Sequence, residues 1–81
     1  MRFRKSKVFE VLQSYYFLNK VDEIRVLNEC IEIWIETELA VSFDILGDEL
    51  KIAFGSDVDY SERDLADYLG LLVDLKDCLV K

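Results

Sequence analysis

The feature that most constrains this chain is an alternation of large apolar and polar residues across its middle third. Ile31, Ile33 and Ile35 alternate with Glu32, Trp34 and Glu36. Leu39, Val41, Phe43 and Ile45 alternate next, and Leu50, Ile52 and Phe54 follow. A period of two in β-branched and aromatic residues is the pattern of a strand with one buried face. Gly47-Asp48 separates the second and third runs as a two-residue hairpin signal. The join at Thr37-Glu38 has no glycine. Three strands in succession are most simply an antiparallel meander. Ile24, Leu27, Ile31, Trp34 and Ile35 also fit a helical stripe, so 22–36 has two readings. The isoleucines favour strand from Cys30 onward, and 22–28 stays open.

Helices are expected on either side. Val8, Leu12, Tyr15 and Asn19 share one stripe, which predicts a helix over 6–19 with Ser6 as N-cap. The run Tyr15-Tyr16-Phe17-Leu18 is broader than one face and calls for a second packing surface or a partner. A second helix is expected over 61–80. Ser61 and Asp64 have the spacing of a capping box, and Leu65, Tyr68, Leu69, Leu72, Leu75 and Leu79 form the expected buried face. Gly70, mid-helix, points to a close approach by another element. The expectation is an α+β domain of order α-β-β-β-α, with both helices on one face of the sheet. The other sheet face would carry Glu32, Trp34, Glu36, Ala40, Ser42, Asp44, Lys51 and Ala53.

Eighty-one residues make one domain, and a hydrophobic fraction of 52% suits a core this small. Charge is distributed unevenly. Residues 1–7 form a basic tail with Arg2, Arg4, Lys5 and Lys7 and no acid, whereas 29–67 hold twelve acids against Lys51 and Arg63. A net charge of −7 disfavours nucleic acid and anionic lipid and favours a basic partner. No stretch has the ~20 apolar residues of a membrane span. Cys30 and Cys78 are too few for a disulfide framework. They read as buried thiols of a cytoplasmic protein, with one bridge between them as the alternative.

Catalytic chemistry is mostly missing. There is no histidine, which removes the usual nucleophile-activating base and the commonest transition-metal ligand. No cofactor or metal is expected. Asp57-Val58-Asp59-Tyr60-Ser61 begins like a calcium loop, but Glu62 and Tyr68 stand where that loop needs glycine and glutamate, so a turn into an N-cap is the better reading. Glu49-Leu50-Lys51, with Asp44 upstream, matches a short metal-nuclease element. The tripeptide is common by chance, and no basic surface accompanies it.

The expected function is therefore binding rather than catalysis: an inhibitor, immunity-type or adaptor module engaging a basic protein surface. Trp34 is the expected anchor, between Glu32 and Glu36 and near Asp44. Asp64 and Asp67, with Asp74 and Asp77, form a second acidic candidate on the final helix, which could act as a DNA mimic. A third reading is a homodimer sealed by helix 61–80.

Overall fold

The computed structural model describes residues 1–81. The architecture is α+β: two helices, a four-stranded antiparallel meander and a small two-stranded sheet. In chain order the elements are β1 (Arg2–Phe3), α1 (Lys5–Gln13), a 3-10 turn (Tyr16–Lys20), β2 (Glu23–Val26), β3 (Cys30–Ile35), β4 (Glu38–Leu46), β5 (Glu49–Phe54), α2 (Glu62–Lys76) and β6 (Leu79–Val80). The larger sheet has the order β2-β3-β4-β5.

The meander forms where the alternation predicts it, with one strand more. Residues 23–26 join as β2, pairing Ile24 with Ile33 and Val26 with Ile31. Strand is therefore the outcome for the segment with two readings. Register places Ile31 against Phe43, Ile33 against Val41, and Phe43 against Ile52. These residues project to the helix side, where Ile31, Ile33, Val41 and Phe43 are wholly buried. Leu50, Ile52 and Ile35 are half-buried, and Phe54, expected in the core, is 39% exposed at the sheet's end.

Two of the three hairpin turns put a positive-φ residue in the first of their two loop positions. Gly47 supplies it at φ 67° without a Cβ penalty. In the other turn the residue is Glu36, at φ 58°. No glycine is present there, and the Glu36 backbone N–H donates to the Asp22 carboxylate, which braces the turn.

A register shift between Ile33 and Trp34 interrupts the β3–β4 ladder opposite Ala40. Ala40 is consequently fully buried instead of lying on the open face. Its carbonyl accepts from the Gly55 N–H at 2.9 Å and from the Tyr60 hydroxyl, which also donates to the Gly55 carbonyl at 3.1 Å. A Cβ on Gly55 would lie 1.9 Å from the Leu39 carbonyl oxygen, so only glycine allows this closure.

The helices depart from expectation at their ends. α1 starts after Arg4, which makes no side-chain cap, so Ser6 is inside the helix and not its N-cap. The helix stops at Gln13, and the Ser14 hydroxyl donates back to the Val11 carbonyl at 2.7 Å. Back-bonding of this kind competes with helix propagation. The Tyr15–Leu18 run is then rewound as a 3-10 turn that buries Leu18 and half-buries Tyr15 and Phe17. α2 begins at Ser61 with both halves of the capping box present. It ends at Lys76 because Leu79–Val80 leaves the helix to pair with Arg2–Phe3. The basic tail is thus part of the fold: Phe3 is a core residue at 2% exposure, and its N–H donates to the Asn28 carbonyl.

The buried face of α2 is rotated from the expected one. Tyr68, Leu71 and Leu75 are buried, whereas Leu65, Leu69 and Val73 are exposed. Gly70 is exposed too, and no element closes on it; a Cβ there would meet only the Tyr15 hydroxyl, at 3.9 Å. Cys30 and Cys78 are free thiols. No helix is long and apolar enough to cross a membrane.

Candidate interaction surfaces

Two surfaces carry the residues the sequence singles out. The first is the sheet face turned away from the helices. Trp34 and Glu32 project there from β3, on the side opposite Ile31 and Ile33. β2 adds Arg25 to the same face, opposite Glu32 in the ladder. Its guanidinium carbon lies 4.8 Å from the Trp34 ring centroid. Its Nε is 2.7 Å from Glu23 Oε2, and its Nη1 is 3.9 Å from Glu32 Oε1. The Trp34 indole N–H points to Glu32 Oε1 at 3.4 Å. A tryptophan flanked by carboxylates is the arrangement that takes a cation, and here the chain supplies that cation itself. Trp34 is half-buried as a result.

The rest of this face is internally paired as well. Asp44 accepts from the Ser42 hydroxyl at 2.6 Å. It also faces the Cys30 thiol, whose pKa is pushed up to about 12 by burial first and then by its bond to Asp44 and that carboxylate's charge. Such a thiol is a poor nucleophile. Lys51 is held by Glu49 at 2.7 Å, which lowers the Glu49 pKa and raises that of Lys51. The lysine of the nuclease-like tripeptide is therefore engaged by the tripeptide's own carboxylate. No group of three or more Cys, Asp or Glu side chains is placed to hold a metal ion. Glu36 stands apart, exposed in the β3–β4 turn.

The second surface is a cleft of about 760 Å³ between the 3-10 turn and the N-terminal half of α2. Its floor is aromatic. Phe17 packs edge-on against both Tyr15 and Tyr68, with centroids at 5.6 and 5.1 Å, and Tyr60 lies 6.3 Å from Tyr68. Phe54 extends the cluster, 5.3 Å from Tyr60. These edge-to-face contacts are the preferred aromatic geometry. Tyr68 is the hub and is nearly buried; burial first, then the charge of Asp64, raises its hydroxyl pKa. Tyr16 differs from the others: it stands on the cleft wall at 90% exposure.

Asp59, Asp64 and Asp67 line this cleft together with Lys20 and Arg63. The structure brings Asp64 and Asp67 here, away from the Trp34 face. Asp64 is spoken for: its carboxylate accepts the Ser61 N–H at 3.0 Å, and that bond holds its pKa below the usual carboxylate range. Asp67 is half-buried on the cleft wall. Asp74 accepts from the Tyr15 hydroxyl, and Asp77 is the C-cap of α2. Asp64 and Asp74 are thus engaged within the chain, and Asp67 stands on the cleft wall without a side-chain bond. Sequence reasoning missed the cleft as a unit. The over-broad Tyr15–Leu18 run was its one local signal, and nothing local tied it to Tyr60 and Tyr68.

No protein-family model, curated protein or solved structure matches this chain. Its function must therefore be argued from these two surfaces.

Proposed function

We propose that this chain is a protein-binding module that takes a basic segment of another protein into the tyrosine-lined cleft. One observation carries the reading: the Tyr16 ring is almost fully exposed beside a cleft that also presents Asp59 and Asp67. Tyrosine supplies large contact area with little rotamer entropy to lose, and its face attracts guanidinium and ammonium groups. A carboxylate beside it gives such a cation a hydrogen-bonding partner. The net charge of −7 steers basic partners toward the chain from a distance. Lys20 and Arg63 on the same wall keep the local acid excess small, so tyrosine contact, more than bulk charge, would set selectivity. The fitting occupant is an arginine- or lysine-bearing segment with an apolar side chain for the aromatic floor. An inhibitor, immunity-type or adaptor role is compatible with that chemistry, and the free thiols suit a cytoplasmic setting.

Calorimetry with short arginine-containing peptides, against acidic peptides of the same apolar content, tests this. Binding should weaken about tenfold on Tyr16→Ala or Asp67→Asn, a typical hot-spot loss. It should also weaken at ~0.5 M salt, and Trp34→Ala should leave it unchanged. Binding lost on Trp34→Ala but kept on Tyr16→Ala would move the site to the sheet face. A chain that takes no basic peptide at ~0.1 M salt, where exposed charges still act, refutes the proposal.

A further inference from the structure

The outward face of α2 has no partner within the chain. Leu65, Leu69 and Val73 are spaced four apart and form one stripe on a helix of about 100° per residue. Leu69 is 48% exposed and Val73 61%. The stripe is closed by one charge at each end, Glu62 at the start of the helix and Lys76 in its last turn. Reversing the helix about Leu69 maps Glu62 onto Lys76 and Leu65 onto Val73. The face is therefore complementary to a reversed copy of itself, which is the condition for a two-fold interface.

From this we infer that α2 pairs with α2 of a second copy, antiparallel, with the two Leu69 side chains meeting near the two-fold axis. Glu62 then lies opposite the partner's Lys76, twice per dimer. A parallel pair would instead set Glu62 against Glu62 and Lys76 against Lys76, so charge selects the antiparallel arrangement. Four turns of one helix cover less than the ~1,200–2,000 Å² of a standard interface, so the pairing belongs to the weak, reversible class. The stripe lies on the solvent side of α2, whereas Asp64 and Asp67 face the cleft. Pairing through α2 thus does not depend on the cleft being a binding site.

Sedimentation of the full chain from about 1 to 300 μM, a span suited to a weak dimer, should show a reversible monomer–dimer equilibrium. Leu69→Asp places two carboxylates together at the axis and should leave only monomer; circular dichroism confirms that this exposed position still folds. Glu62→Lys and Lys76→Glu should each weaken the dimer about tenfold, because each change occurs twice per interface. The double exchange E62K/K76E should restore the original affinity within about threefold, since the pairing is only reversed. A chain monomeric throughout the range overturns the inference, as does a dimer indifferent to Leu69→Asp. A dimer that the double exchange fails to restore overturns the antiparallel register.

Discussion

The Trp34 face and the Tyr16 cleft have similar ingredients and opposite states. Each combines aromatic rings with carboxylates. On the sheet face, β2 delivers Arg25 onto the indole, and every carboxylate drawn into the cluster has a partner within the chain. In the cleft, the tyrosine floor is packed, but Tyr16 remains in solvent with Asp59 and Asp67 on the same lining. Residue type nominates both places. What separates them is whether the fold has already filled the site. A saturated cluster contributes to stability, and an unsaturated one is available to a partner.

The largest expected effect comes from breaking the scaffold of the cleft. Gly55→Ala forces a Cβ into the Leu39 carbonyl and should cost at least ~3 kcal/mol, since backbone must shift to admit it. It should also release Tyr60 from the Ala40 carbonyl and so open the cleft wall. Urea denaturation gives the first value; loss of basic-peptide binding under conditions where the variant still folds gives the second.

Next come the two aromatics themselves. Trp34→Ala should lower stability by about 1–2 kcal/mol, as expected for removing a half-buried side chain. Tyr16→Ala should change it by less than ~0.5 kcal/mol, the usual bound for an exposed position. Equal costs in the same denaturation experiment would erase the contrast between a structural and an available ring. A smaller effect is expected from Arg25→Ala, at most ~1 kcal/mol for exposed pairs and a cation–π contact. Its sharper readout is optical. Acrylamide should quench Trp34 fluorescence more readily once the guanidinium is gone, and unchanged quenching would show that Arg25 does not cover the ring.

The smallest effect appears only in alkali. Tyr15 lines the cleft and donates to Asp74; burial first, and then that bond, raise its pKa from 10.0 to about 12. Cys30, on the Trp34 face, is raised from 9.0 to about 12. Both folded-state values lie above the unfolded ones. Their stabilising contribution is therefore complete below pH 9–10 and is lost as pH rises toward 12. Tyr15→Phe and Cys30→Ser should each flatten part of that decline in a stability–pH profile, one on each side of the molecule.

Much of the fold was legible because its signals are local. Alternation about Ile33 and Phe43, the Gly47 turn and the Ser61–Asp64 box each act over a few residues, and each forms as expected. The failures have tertiary causes. Ala40 changed sides because a bulge shifted the register beneath it. On α2, Leu71 is buried with Tyr68 and Leu75 while Leu65 and Leu69 face outward, a choice of face set by what packs on the helix and not by its own spacing. The last residues left the helix to meet Phe3 from the opposite end of the chain. The site was less legible than the fold. Trp34 does lie opposite the isoleucines, yet the ambiguous stretch 22–28 hid the arginine that covers it.

The most direct measurement is an NMR titration of the labelled chain with an arginine-containing peptide that binds it. If the cleft is the working surface, backbone resonances of Tyr16, Asp59, Tyr60 and Asp67 should move together and saturate, while the Trp34 indole N–H stays in place. A saturating shift of the indole, with the cleft residues silent, would contradict the account.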